Sequence, residues 1–238
     1  VMDEEKEAEA YDRLSKEFLF WIEDAFVESA LNMGVGQGRV LDIGTGPGLI
    51  PIKLHQQNPG LEIHAVDMSR PMLEIARSNQ KAYSVENIEF SVGDAQSLQY
   101  DSDSFDLVVS HSLMHHLPDP IAFLNEAARV AKPDGAILIR DIRRPPQILM
   151  GFWVSVFGRG YDGYMENLYR DSLQAAYTRS ELDMMVQQSR LEDVVLKSYF
   201  VTHIGIEKSS AKGENNVISL ADCTVPGPIR QSYVSGPY

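Results

Sequence analysis

Val40-Leu41-Asp42-Ile43-Gly44-Thr45-Gly46-Pro47-Gly48 is an apolar, strand-forming run that ends in three alternating glycines, and Leu49-Ile50-Pro51-Ile52 then opens a helix with proline in its first turn. Strand, glycine turn and helix in that order let a ligand approach the backbone closely, because glycine has no Cβ and reaches positive φ at little cost. A second apolar run, Leu61 to Val66, is closed by Asp67, 25 residues beyond Asp42, where a carboxylate can reach a ribose diol. The competing reading is a tight turn with a solvated Asp67, but it leaves the coincidence of strand, loop, helix and acid without a cause. The glycine spacing is G-x-G-x-G, and Leu49 stands where a dinucleotide fingerprint has its third glycine or alanine, which argues against a dinucleotide oxidoreductase. Asp42, two residues ahead of Gly44, is a poor neighbour for a phosphate and suits a cationic ligand.

Outward from this unit the pattern alternates. Apolar runs at Ile88 to Val92, Phe105 to Ser110 and Ala136 to Arg140 are separated by helical or turn-rich stretches, the rhythm of a parallel sheet wrapped by helices. Ser69 before Pro71 and Asp119 before Pro120 are helix starts, with an N-cap side chain followed by proline in the first turn. Lys132-Pro133-Asp134-Gly135 reads as a turn that ends the second of these helices. Tyr11, Leu14, Phe18, Trp21, Ile22, Ala25, Phe26 and Ser29 recur at helical spacing and predict one or two N-terminal helices. Residues 145 to 177 hold seven of the 21 aromatic side chains, so this stretch is expected to form an inserted cap over the sheet's carboxyl edge rather than a simple connection. Extra helices packing a small core of their own would give the same enrichment. Thr178 and Glu181 form a capping box for the next helix, and Glu192 to Phe200 and Thr202 to Lys208 read as two closing strands. Residues 1 to 208 are thus expected to form one α/β domain, and 209 to 238 a linker-like or partner-packed tail through which the chain could form a homo-oligomer.

Composition narrows the partners. With 21 Lys and Arg against 34 Asp and Glu, the formal charge of -13 disfavours nucleic acid or anionic lipid as a generic partner. No stretch approaches the roughly 18 consecutive apolar residues of a membrane-spanning helix. A single cysteine, Cys223, allows neither an intrachain disulfide nor a cysteine-based zinc cage, and suits a reducing cytoplasm. The acidic N-terminus does not read as a signal peptide.

The stretch Asp42 to Gly48 resembles the first motif of the class I S-adenosylmethionine-dependent methyltransferases, and further segments match in order. Asp67 resembles the ribose-binding acid after the second strand, and Gly93-Asp94-Ala95 the loop whose acid bonds the adenine amino group. Phe105 to Ser110 resembles the fourth strand. His115-His116-Leu117-Pro118-Asp119-Pro120 and Leu124 to Gly135 look like the following stretch in the small-molecule and quinone methyltransferase-like subgroup. The resemblance implies a Rossmann-like, seven-stranded, mostly parallel sheet with helices on both faces, S-adenosylmethionine as cofactor and a small-molecule acceptor. It also implies a cofactor site at Tyr11, Asp42, Gly44, Thr45, Gly46, Gly48, Asp67, Met68, Gly93, Asp94, Ala95, Ser110 and His111. It does not distinguish an enzyme from a cofactor-binding sensor or partner protein on the same fold.

Methyl transfer from a sulfonium needs alignment and exclusion of water, and a base only where the acceptor carries a proton. His116, His111 and Asp141 are the candidate catalytic groups. His115, Arg140, Arg143, Arg144, Tyr161 and Tyr164 are candidates for the acceptor, the three arginines as a clamp for an anion or as a surface ion-pair network. His111 and His115, four apart, could share a helix face, but Ser112 stands where a zinc-binding H-E-x-x-H helix has glutamate and no third ligand is evident, so no metal is expected.

Overall fold

A computed structural model describes residues 11–12, 20–159, 161 and 163–211. Seven strands form one sheet: β1 (Gly38–Ile43), β2 (Leu61–Asp67), β3 (Ile88–Val92), β4 (Phe105–His111), β5 (Ala131–Ile142), β6 (Val195–Tyr199) and β7 (His203–Lys208). Their order is β3-β2-β1-β4-β5-β7-β6. The first five run parallel, whereas β7 pairs antiparallel with both β5 and β6. Strand order reverses between β1 and β4, and an open α/β sheet presents a crevice at the carboxyl ends of its strands at such a point.

Two-residue periodicity divides the strand side chains between two cores. Val40, Ile63, Leu107, Val109 and Leu138 pack with Phe26 of α1 (Phe20–Leu31), Ile52 and Leu54 of α2 (Leu49–Gln57) and Leu73 and Ala76 of α3 (Arg70–Ala82). Leu41, Ile43, Val108, Ile137 and Ile139 pack on the other face with Phe123, Leu124 and Ala127 of α4 (Pro120–Val130) and Leu182 of α7 (Arg179–Gln188). Burial on both faces is why these strands read as continuous apolar runs. Between them, α5 (Met150–Phe157) and α6 (Gly163–Ala175) form the cap, whose own small core is Met150, Val154 and Leu173.

The local signals act as their chemistry dictates. The Ser69 hydroxyl accepts the Met72 N–H at 3.3 Å and Asp119 Oδ1 accepts the Ala122 N–H at 2.9 Å. Thr178 and Glu181 close a reciprocal capping box at the start of α7.

Three expectations change. Residues 132 to 135 do not merely end a helix: β5 begins at Ala131, and the step from Phe105 to Leu107 on β4 is matched by Ala131 to Ala136 on β5. The turn-forming residues therefore bulge within the strand, and Gly135 sits where a Cβ would meet the Lys132 and Phe105 carbonyl oxygens at 3.0 Å. The inserted cap expected over residues 145 to 177 is formed by the two helices α5 and α6. The closing strands are shorter than their apolar runs, Phe200 and Val201 being exposed in the turn between them. His111 and His115 do not share a helix: His111 ends β4 and His115 lies in the 3-10 turn Met114–His116. The N-terminal expectation is met over Phe20–Leu31, and Leu14 and Phe18 lie outside the described residues. Of the tail only residues 209 to 211 are described, and there the Ser210 N–H donates to the Met33 carbonyl at 3.1 Å.

Candidate active site

The glycine loop takes its form from left-handed backbone at Gly44 (φ 77°), Gly46 (φ 53°) and Gly48 (φ 76°). A Cβ on Gly48 would lie 2.8 Å from the Ala76 Cβ and 3.0 Å from the Phe90 ring, so the loop is pressed against α3 and β3. Asp67 holds it from the neighbouring strand: Oδ2 accepts the Gly46 N–H and Oδ1 the Ser69 N–H, both at 2.8 Å. The Gly44 and Thr45 N–H groups both donate to the Val66 carbonyl.

Above this loop, at the carboxyl ends of β1, β2 and β4, opens a cavity of about 310 Å³. Its wall includes Tyr11, Gly44, Thr45, Gly46, Asp67, Met68, Gly93, Asp94, Ala95, His111 and His116 from the expected set. Gly48, Asp42 and Ser110 stand one layer behind. Gly48 is the N-terminal cap position of α2, and the Ser110 hydroxyl donates to the Ile43 carbonyl at 2.8 Å, tying β4 to β1. Asp42 is fully buried with no donor at hydrogen-bond geometry on either oxygen. Burial pushes its carboxyl up to about 7, with the Thr45 hydroxyl pulling the other way and the Asp67 and Glu23 carboxylates adding to the rise.

The acceptor candidates part company. His116 lines the cavity beside Leu113 and Leu117, and Leu168 and Ser172 of α6 face it from the cap. His111 adds a second imidazole, edge-on to Phe26 at 4.8 Å and stacked on His203 at 5.7 Å. Burial, with the charges of His203 and Arg140, holds His111 well below the ordinary histidine value. His115 and Asp141 are buried against each other beneath the cavity wall. The three arginines do not converge. Arg140 lies on the α1 face of the sheet, its guanidinium 3.6 Å from the Tyr199 ring centre and its Nη2 donating to the Ser29 hydroxyl at 2.9 Å. Arg144 pairs with Glu181 of the capping box, and the Arg143 N–H donates to the Thr202 carbonyl. Tyr161 packs edge-on against Tyr169 within the cap, and Tyr164 is exposed. None of these five side chains (Arg140, Arg143, Arg144, Tyr161 and Tyr164) is in the cavity wall.

Sequence reasoning missed Glu23, buried in α1 yet lining the cavity and joined to Lys53 Nζ at 2.9 Å. Only an acid on the inward side of α1 hinted at it. Among the described residues no group of three His, Cys, Asp or Glu could hold a metal ion, and no helix is long and apolar enough to cross a membrane.

The arrangement matches a known family: residues 36–199 fit the model of the methyltransferase domain (Methyltransf_31). The chain belongs to that family. This methyltransferase is 32% identical over 145 residues to the uncharacterized methyltransferase YcgJ of Bacillus subtilis, covering 60% of this chain and 56% of that protein. It is 27% identical over 223 residues to a demethylmenaquinone methyltransferase of Staphylococcus aureus, covering 86% of this chain and 91% of the relative. The fold is shared with a putative S-adenosylmethionine-dependent methyltransferase of Methanococcus maripaludis, with a TM-score of 0.70 at 21% identity, across 88% of this chain and 95% of that one.

Proposed function

We propose that this methyltransferase moves the methyl group of S-adenosylmethionine to a small, largely apolar or aromatic acceptor bearing a hydroxyl or acidic carbon, with His116 facing the acceptor. The carrying observation is that His116 shares the cavity wall with Leu113, Leu117 and Leu168, while Arg140 and Arg144 are engaged elsewhere and Arg143 is not part of that wall. The relative named as a demethylmenaquinone methyltransferase supports an aromatic acceptor.

The residues present fit the cofactor. Glu23, Asp67 and Asp94 line the cavity and the buried Asp42 stands behind it, an acidic and cation-attracting surround. When bound, S-adenosylmethionine supplies an electrophilic methyl group on a sulfonium. Asp67 would take the ribose hydroxyls, Asp94 the adenine amino group and Glu23 the ammonium of the amino-acid end. Leu113, Leu117 and Leu168 would shield the reacting face from water. Burial and the charge of His115, opposed by Asp141, push His116 down to about 4, so it is neutral at physiological pH, and its ring can accept a hydrogen bond and then the proton of an acceptor hydroxyl before releasing that proton to solvent.

Calorimetry with S-adenosylmethionine, S-adenosylhomocysteine and NAD tests the cofactor, and homocysteine release from reduced naphthoquinones, carboxylated and phosphorylated metabolites tests the acceptor. The first two ligands should bind and NAD should not, with turnover confined to uncharged aromatic acceptors. Tighter binding of NAD, or turnover only with anionic acceptors, refutes this reading, and cofactor binding without turnover of any acceptor identifies a sensor instead.

A further inference from the structure

His115 is one residue from His116 and turns the opposite way. Its Nδ1 lies 2.6 Å from Asp141 Oδ1, and both side chains are 3% exposed. An ionised carboxylate can only accept, so Nδ1–H donates. Asp141 Oδ2 also accepts the backbone N–H of His115 at 3.0 Å, and Oδ1 accepts the Ile142 N–H at 2.6 Å. One carboxylate therefore holds both the ring and the main chain of His115. Burial raises Asp141, but the His115 charge and these hydrogen bonds outweigh it and keep the carboxyl below its usual range.

The His115 ring is 3.9 Å from the His116 ring, tilted by 40°. The turn between them is short: the His116 N–H donates to the Leu113 carbonyl at 2.9 Å and the Leu117 N–H to Met114 at 3.1 Å. His116 thus has its backbone fixed by a turn that Asp141 pins and one face of its ring covered by the pinned neighbour. Neither His115 nor Asp141 reaches the cavity wall, whereas His116 does.

We propose that Asp141 and His115 are a positioning pair that aims the His116 imidazole at the methyl acceptor, an inference that rests on the methyl-transfer reading of this cavity. Asp141 touches neither acceptor nor cofactor and acts through His115. The two consecutive histidines have divided labour, the first anchoring the turn from within and the second facing the reaction.

The test is imidazole NMR on the full chain saturated with S-adenosylhomocysteine. In the wild type, Nδ1 of His115 should carry a proton with a strongly downfield resonance, and an unprotonated Nδ1 would overturn the pairing. His115→Gln should raise the His116 titration midpoint by roughly one pH unit, because the charge and the covering ring that depress it are gone, while S-adenosylhomocysteine affinity stays within about twofold. An unchanged His116 midpoint refutes the positioning role. Should that variant not fold, Asp141→Asn decides: its amide sets a donor against the donors of His115 and Ile142, so His116 resonances should shift, and their constancy refutes the proposal. Failure of the wild type to bind S-adenosylhomocysteine would overturn the methyl-transfer reading itself, whatever the state of Nδ1.

Discussion

Asp67 offers the sharpest test of the cofactor geometry, because its carboxylate has two tasks that different substitutions separate. Both oxygens already accept backbone N–H groups, from Gly46 and Ser69 at 2.8 Å, and the same group lines the cavity. The Met68 N–H is a third donor, and the carboxylate keeps lone-pair capacity for a ribose hydroxyl. Asp67→Ala removes these at once, and the loss of one charge-assisted bond of about 1.5 to 3 kcal/mol corresponds to a Kd for S-adenosylhomocysteine about 10-fold to 150-fold weaker. Asp67→Asn is nearly isosteric, so an acid that merely repels or attracts charge would lose little of its packing on becoming an amide. Here the amide must point its NH2 group at the Gly46 N–H or the Ser69 N–H, donor against donor. The Asn variant should therefore weaken binding to within a few fold of the Ala variant. Isothermal titration at neutral pH measures both. If Asn binds like the wild type, or if both variants stay within about twofold of it, Asp67 does not hold the loop and the ligand together.

Gly48→Ala should destabilise the fold by about 2 to 5 kcal/mol in urea denaturation, adding the roughly 1 to 2 kcal/mol of a left-handed alanine to an overpacking cost of about 1 to 3 kcal/mol against Ala76 and Phe90. A loss below about 1 kcal/mol would show that the loop yields. His203, 7% exposed, is pushed down to about 4 by burial, with Asp141 opposing and Arg140 and His115 assisting. The folded chain thus binds this proton less readily than the unfolded chain, so stability is full above about pH 6.5 and falls by on the order of 3 kcal/mol as pH drops toward 4. The pH slope of the denaturation midpoints across that window should be shallower in His203→Gln, the depressed His111 and His116 supplying the remainder, and an identical slope in the variant would assign the acid loss to other groups. Arg144→Ala removes a half-exposed pair with Glu181, so it should cost about 0 to 1 kcal/mol and leave S-adenosylhomocysteine affinity and turnover unchanged. A tenfold drop in kcat/KM would restore the anion clamp.

The glycine loop was legible because its logic is local: strand, positive-φ glycines and helix start are adjacent in the chain, and only Asp67 had to be brought from the next strand. The N-caps Ser69 and Asp119 were legible for the same reason. The cap's role in the cavity was less so, since Leu168 and Ser172 are distinguished from their neighbours on α6 only by where that helix lies. Glu23 shows the same limit, being one acid among several in α1 until packing turns it inward. The placement of Arg140 was not legible because closeness in sequence is not closeness in space on a strand: Arg140 and Asp141 project from opposite faces of β5. The contact of Asp141 with His115 joins residues 26 apart, and its partner could only be found once β5 lay beside the segment after β4.

That opposition on β5 has a bearing on how the sheet assembles. Arg140 is matched to an aromatic and hydroxyl lining, Phe26, Tyr199 and Ser29, while Asp141 is matched to His115 on the other side. A shift of β5 by a single residue against β4 or β7 would exchange the two, sending a guanidinium into the aliphatic layer under α4 and α7 and a carboxylate against the aromatic rings. Each would then be a buried charge without its partner, a fault that costs several kcal/mol. Leucine and isoleucine neighbours such as Leu138 and Ile139 tolerate exchange far better and could not make that distinction. The two adjoining charges thus work as a key cut on both edges, by which the longest strand, seated between the parallel and antiparallel halves of the sheet, rejects misaligned pairings while the chain is still folding.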